Sequence, residues 1–374
     1  MAHEDTLPYD LIEETLSRVP PKSLVRFRAV SKQWNTLIDD KTFINNHKTT
    51  FRFILATKSK FYSVSITPKI QVRELTLDIP GFESYIPKTF FECNGFLGCG
   101  MDYKGVVLLN PWLRQTRWIE LVKANQRVTC NGIGYEYGNG SLLENGYKTL
   151  LCCYKDPELT NKVWQIHDFA SNEVKDSMLK AVGSSEAEKS VYLQSTSVSL
   201  NGTLYWVASY QMNDSSMFLL SFNFSVEKFD KLSDLPVPYR DNRDILVLSL
   251  YKGDRFSLLK QCHLTKKIEI WVTKNVVTRN WRGGDGEWMN FMEVSTPNLP
   301  DLLRPSYFID GKKLVVCSCD GTGQAWIYVM GDKKLITKTQ IDPMVDLWPL
   351  HCAYFPSLVS VPRGQREEAG ALQV

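Results

Sequence analysis

Leu7-Pro8-Tyr9-Asp10-Leu11-Ile12-Glu13-Glu14 opens a stretch that continues through Leu16-Ser17-Arg18-Val19-Pro20 to Lys22-Ser23-Leu24-Val25-Arg26-Phe27-Arg28-Ala29-Val30-Ser31-Lys32-Gln33-Trp34. Its period is helical. Leu11, Ile12, Thr15, Leu16 and Val19 recur at the spacing that lines one side of a helix. Asp10 is placed to cap that helix, and Glu13 and Glu14 suit the positive end of its dipole. Pro20-Pro21 ends it, because the ring removes a donor and restricts the residue before it. Pro21 fits the first turn of a second helix carrying Leu24, Val25 and Phe27. Ser31 caps a third, in which Val30, Trp34, Leu37 and Ile38 repeat, and Asp40 can cap one more turn through Phe43 and Ile44. A unit of roughly 40 residues buries too little surface to stand alone. Part of its apolar surface therefore belongs to another chain, or else to the rest of this one.

Working outward from residue 51, the helical period fades. Short β-branched and aromatic runs alternate with turn dipeptides: Asn94-Gly95, Asn145-Gly146, Asn201-Gly202, Gly253-Asp254 and Asp310-Gly311. Such pairs tolerate positive φ and make two-residue hairpins. Their starts lie 51 to 57 residues apart. After each comes an apolar strand and then a polar turn, as in VVLLNPWLRQTRWIEL, VWQIHDFASNEV and FLLSFNFSVEKFDKL. A repeat of this length with two hairpins has the size of one β-propeller blade. The expected architecture is a small all-α N-terminal unit of three short helices, followed by an all-β propeller of about six (five to eight) blades. A two-sheet sandwich would have to be two domains at this length, and no linker separates them.

Both parts resemble known families. The LPxDL start and the KSLVRFRAVSKQW core ending at Trp34 resemble an F-box, over residues 5 to 46. Thr15 stands where that family usually has an aliphatic residue, and Ser31 where it often has Cys. ECNGFLG, LLNPWLRQTRWIEL, GIGYEYG, YKTLLCCY, VSLNGTLYWVA, LLSFNFSVEKFDKLSDLP, IEIWV and YFPSLVSVP, in that order, resemble the F-box-associated domain of plant F-box proteins. The resemblance implies residues 1–47 as an adaptor-docking F-box and 48–362 as a substrate-binding propeller. Residues 363–374, polar and containing glycine, are expected to be a flexible tail. Asn110, Pro111, Asn201, Gly202, Tyr205 and Trp206 read as turn and core positions rather than as a substrate site.

Composition and motifs bound the chemistry. The 374 residues are 43% hydrophobic and 23% charged, with a formal net charge of +3. That is an ordinary globular balance, and neither nucleic acid nor an anionic membrane is expected as a partner. The acidic start lacks the character of a signal peptide, so nine cysteines read as reduced thiols of the cytoplasm or nucleus. The glycines of Gly132–Gly138 have the wrong spacing for a dinucleotide loop. His167 and Asp168 point to opposite faces of a strand and form no dyad. Cys317 and Cys319, and Cys152 and Cys153, lack zinc-site spacing. Trp164, Trp206, Trp271 and Trp326 read as core. No catalytic, cofactor or metal residue is expected.

The leading reading is a non-catalytic adaptor of an SCF-type ubiquitin ligase, as the resemblance implies. Leu7, Pro8, Leu11, Ile12, Leu16, Pro20, Leu24, Val25, Arg28, Val30 and Trp34 would contact a Skp1-like protein, and through it cullin and a RING protein. The propeller would hold a protein substrate of unknown identity. The alternative is a propeller hydrolase or a small-ligand or glycan-binding protein, which would need convergent carboxylates or histidines, or one aromatic-polar site per blade.

Overall fold

Four short helices precede a ring of six antiparallel sheets. The computed structural model describes residues 8–47, 50–58, 60–66, 69–77, 79, 86–101, 105–120, 127–138, 141–154, 162–176, 191–193, 196–210, 216–237, 241, 243–278, 281, 287–295, 299–331, 333–342 and 345–362. Leu7 and the tail 363–374 lie outside these residues.

Helix α1 (Tyr9–Leu16) begins behind Pro8, not at the expected Asp10 cap. Asp10 instead occupies the first turn, where its charge faces the helix dipole. Helix α2 (Pro21–Phe27) carries proline at its first position, as the sequence suggests. In α3 (Lys32–Asp39), the Ser31 hydroxyl accepts from the Trp34 N–H at 3.1 Å. The further turn is a separate fourth helix, α4 (Lys41–Asn46), capped by Asp40, whose carboxylate accepts from the Thr42 N–H at 2.6 Å.

Blade 1 begins with β1 (Phe53–Ala56), β2 (Phe61–Ser65) and β3 (Gln71–Leu75). Blade 2 is β4 (Pro87–Cys93), β5 (Phe96–Met101), β6 (Gly105–Asn110) and β7 (Gln115–Glu120). Blade 3 is β8 (Arg127–Gly138), β9 (Ser141–Tyr154), β10 (Lys162–Asp168) and β11 (Val174–Asp176). In blade 4 the first strand is broken into β12 (Tyr192–Leu193) and β13 (Val198–Leu200), both paired with β14 (Thr203–Ser209), and β15 (Phe218–Asn223) and β16 (Lys228–Asp234) follow. Blade 5 is β17 (Ile245–Tyr251), β18 (Arg255–Gln261), β19 (Ile268–Thr273) and β20 (Trp288–Val294). Blade 6 is β21 (Leu303–Asp310), β22 (Lys313–Cys319), β23 (Ala325–Gly331) and β24 (Lys334–Gln340). The chain then returns to blade 1: β25 (Leu350–Ala353) pairs with β1 as its first strand. One blade is thus shared by both ends of the ring, which closes it by hydrogen bonds.

Four of the five turn dipeptides mark the hairpin between the first and second strands of a blade. Asn94 and Gly95 have φ of 47° and 89°, and Asn201 and Gly202 have 52° and 81°, as a tight turn between antiparallel strands requires. In blade 5 the positive φ values fall on Lys252 and Gly253, one position before the expected pair. In blade 6 Asp310 ends β21 and Gly311 begins the turn. Asn145-Gly146 is a correction, since it lies inside β9 while Gly138 pairs with Ser141. It falls where the β8–β9 ladder shifts register, between the Tyr135–Tyr147 and Tyr137–Leu142 pairs, so the dipeptide sits in an irregularity of a long strand and not in a hairpin turn.

Apolar clusters fill the seams between neighbouring blades. The helices do not have a core of their own. Ile12, Leu16, Leu24, Leu37, Ile38 and Phe43 belong to one cluster with Phe51, Phe90, Leu97, Trp112 and Tyr354 of blades 1 and 2 and their links. Beyond β25 the chain lies along blade 2. Asn110, wholly buried, donates through Nδ2 to the carbonyls of Ser357 at 2.9 Å and Val359 at 2.8 Å. Its Oδ1 accepts from the N–H groups of Trp112 and Leu113, both at 3.1 Å, and from the Tyr354 hydroxyl at 3.1 Å. Asn110→Ala would orphan those groups together. It is expected to lower unfolding stability by about 3 kcal/mol in urea titration, with the helices and propeller losing structure in one transition.

Candidate functional site

Two surfaces are candidates, the outside of the helical unit and one end of the propeller. The helical stripe splits in two. Ile12, Leu16 and Leu24 are 8%, 1% and 0% exposed and face the shared core, so this chain itself covers them. That corrects their reading as surface contacts. Leu11 and Val30 are 53% and 60% exposed. Pro8 and Pro20 are exposed as well, and Val25 and Trp34 are half-buried. Arg28 is half-buried and pairs with Asp39, which joins the end of α2 to the end of α3. Thr15, the departure noted above, is exposed beside Leu11 and donates its hydroxyl to the Leu11 carbonyl at 2.7 Å. Phe27 and Trp34 pack ring to ring at 5.6 Å, so Trp34 braces α2 against α3 as well as showing an edge outward.

The helices are fixed to the propeller through His47. Its Nε2 lies 2.9 Å from the Val19 carbonyl, which can only accept, so Nε2 carries the proton. Its ring meets Trp112 edge-on at 5.2 Å and Phe43 at 6.2 Å. Phe51 stacks on Tyr354 at 5.4 Å. Trp112 lies in the turn after β6, and strand direction alternates within each blade. First-to-second and third-to-fourth turns therefore share the end that meets the helices. Several of those connections are short, as at 94–95, 201–202 and 311–312, although the third-to-fourth connection of blade 5 spans 274–287. The opposite end carries the links between blades: 76–86, 121–126, 177–191, 235–244, 295–302 and 341–349. That end is free of the helices.

Other polar side chains join the blades. Ser306 Oγ lies 2.7 Å from His351 Nδ1, joining the first strands of blades 6 and 1 where the ring closes. Burial pushes His351 down to about 4, so it is neutral near pH 7. His167 bonds to Asn172 at 3.0 Å, while Asp168 takes the N–H groups of Ala170 and Ser171 in a turn. Ser199 donates to Cys93 at 3.5 Å, bringing blades 4 and 2 together at the centre of the ring. Cys152, Cys153, Cys317 and Cys319 are buried and in no disulfide. Among the described residues no group of three His, Cys, Asp or Glu side chains is arranged to hold a metal. Among them, too, no helix is long and apolar enough to cross a membrane.

Residues 52–361 match the F-box associated beta propeller domain, and residues 5–46 match the F-box domain. The chain belongs to the F-box proteins with an associated β-propeller. One Arabidopsis thaliana relative, an F-box protein by its name, is 63% identical over 100% of both chains. An F-box/kelch-repeat protein of the same plant is 53% identical over 100% of both. The plant's protein SUPPRESSOR OF NIM1 1 is 41% identical, across 95% of this chain and 98% of that one. Among solved structures, the Aleuria aurantia lectin aligns with a TM-score of 0.37 at 11% identity, over 68% of this chain and 77% of that one. That likeness carries no functional argument.

Burial sets a pH dependence for this F-box protein. His47, His167 and His351 are all held below the usual imidazole range by desolvation. The unfolded chain takes up those protons first, from about pH 6.5 downward. Their contribution is therefore present above that pH and lost as pH falls through the folded values. Glu92, beside the Asn94-Gly95 turn, has the opposite sign. Desolvation pushes it up to about 7, although the Gly95 N–H donates to it at 2.7 Å. Its contribution is present below the unfolded value and lost as pH rises through about 7. Glu92→Gln keeps the acceptor for Gly95. It is expected to melt above the parent at pH 8 and to lose that advantage near pH 4 in thermal scans.

Proposed function

We propose that this chain is the substrate-recognition subunit of an SCF-type ubiquitin ligase. The helical unit docks a Skp1-like adaptor, and the open end of the propeller holds a target protein. The observation that carries the reading is the pair Leu11 and Val30, large apolar side chains left more than half exposed on an F-box whose Ile12, Leu16, Leu24, Leu37, Ile38 and Phe43 are buried. A soluble surface gains by covering such groups, and a helix groove of a partner is a suitable cover. Pro8, Pro20, Val25, Trp34 and Leu7 complete the contact, and Arg28 supplies rim charge. Ile12, Leu16 and Leu24 support the unit from within.

Cullin and a RING protein join through the adaptor, and the reaction takes place between the charged ubiquitin carrier and a lysine of the target. This chain contributes proximity. A bound target raises the local concentration of its lysines near the thioester, with no catalytic group from the propeller. Rigid attachment through His47, Trp112 and Tyr354 supports that role, because a fixed distance is worth more than a tethered one. Such a chain would work in the cytosol and nucleus, where its thiols stay reduced.

Leu11→Asp and Pro8→Ala change exposed positions, so both variants are expected to fold and to lose co-purification with a Skp1-like adaptor. Unchanged adaptor binding in both would overturn the reading. Leu24→Ala, by contrast, opens the core and is expected to cost about 2–5 kcal/mol, seen as lowered thermal stability of the purified chain.

A further inference from the structure

We propose that the recess between α2 and α3 seats a carboxylate side chain of the adaptor. This rests on the adaptor-docking reading above and names the chemistry of its partner at one point.

The recess is an open concavity of about 630 Å³. Arg28, Ala29, Ser31, Lys32, Asn35 and Thr36 line it, where the end of α2 meets the start of α3. Lys32, Asn35 and Thr36 stand at i, i+3 and i+4, along one side of α3. Val30, 60% exposed, lies in the chain between two of the lining residues, so the recess adjoins the apolar contact proposed above.

Its walls are held. The Arg28 guanidinium pairs with Asp39 at the far end of α3, which ties the two helices together. The Ser31 hydroxyl accepts from the Trp34 N–H at 3.1 Å, and the Thr36 hydroxyl donates to the Lys32 carbonyl at 3.0 Å. Phe27 and Trp34 brace the same pair of helices. A recess fixed in advance meets its partner without a large ordering cost.

Charge decides what it takes. None of the six lining residues is acidic. Lys32 is exposed and forms no ion pair among the described residues. The Asn35 amide and the Ser31 O–H stand ready as further donors, and the Arg28 Nε is buried without an acceptor. From Pro21 to Asp40 the chain carries Lys22, Arg26, Arg28 and Lys32 against Asp39 and Asp40. Asp39 is taken by Arg28, and Asp40 accepts from the Thr42 N–H as the cap of α4. On α1, Glu14 is paired with Arg18, which leaves Asp10 and Glu13, and neither lines the recess. One ammonium with neutral donors around it matches a single carboxylate. A phosphate would call for a second free cation, and the Arg28 charge is already met by Asp39. A lysine or arginine of the adaptor at this point would be repelled.

The test treats the full chain, bound to a recombinant Skp1-like adaptor, with a water-soluble carbodiimide. The reagent activates a carboxylate, and an amine already in contact displaces it as the urea, which leaves an amide bond. Mass spectrometry is expected to find Lys32 joined to one Asp or Glu of the adaptor. Lys32→Glu is expected to melt with the parent and to bind the adaptor about tenfold more weakly at low salt, with a smaller loss at high salt. Exchanging the joined adaptor carboxylate for lysine should restore binding to Lys32→Glu and weaken it to the parent chain. A complex in which Lys32 joins no adaptor carboxylate, equal binding of Lys32→Glu and the parent, or a loss that the exchange does not rescue would overturn the proposal. So would competition by inorganic phosphate beyond that of chloride at equal ionic strength, since the recess would then be a phosphate site. If the parent chain holds the adaptor and Lys32 plays no part, this site alone fails; if the parent chain does not hold the adaptor, the reading beneath it fails too.

Discussion

The attitude of the helices on the propeller is set by the segment that follows the closing strand, and that segment is held by the buried amide of Asn110. The amide has no water to fall back on, so its bonds to Ser357 and Val359 and from Trp112, Leu113 and Tyr354 must all be made together. Once they are, Tyr354 is fixed beneath Phe51, and Trp112 is fixed beneath His47. The helices rest on those rings. Their attitude relative to the propeller is therefore a property of packing and not of a linker. An adaptor subunit benefits from such an arrangement, because the span between its two binding surfaces becomes a constant.

The ring itself solves a different problem. Six open sheets would present six pairs of unpaired edges, each able to recruit another chain. Stacking blade against blade buries the faces, and pairing β25 with β1 removes the last break. Cross-blade bonds such as Tyr307 to Ser257 at 3.0 Å and Asn201 to the Val277 carbonyl at 2.7 Å add registration between neighbours. Function is left to the connections. The end that bears the helices uses turns of two or three residues in several blades, whereas the far end carries links long enough to vary in shape.

Much of the architecture was legible because it is periodic. Turn residues with positive φ recur at the first hairpin of blades 2, 4, 5 and 6, and Asn94-Gly95 and Asn201-Gly202 stand where the sequence puts them. Asn145-Gly146 shows the limit: the same dipeptide lies inside β9, where pairing with the long β8 shifts register between Leu142 and Tyr147. The helical stripe was legible as a stripe, but not its two sides. Leu11 and Ile12 are neighbours in sequence and lie about 100° apart on the helix, so periodicity groups them while packing separates them. Only the position of blades 1 and 2 decides that Ile12 is floor and Leu11 is surface. The recess beside Val30 had only half a signal. Arg28 and Lys32 read as separate surface charges, and Asn35 and Thr36 join them only where α3 turns against α2.

The shared first blade has a consequence for how the protein is made. The strand that completes the circle lies at residues 350–353, behind nearly all of the chain, and the Ser357 and Val359 carbonyls that Asn110 holds come later still. While a ribosome is still adding blades 2 to 6, the newborn helices have no finished floor and blade 1 lacks its innermost member. A message cut short anywhere upstream would release an open product with an unpaired blade edge and an uncovered apolar floor, a form open to proteolysis.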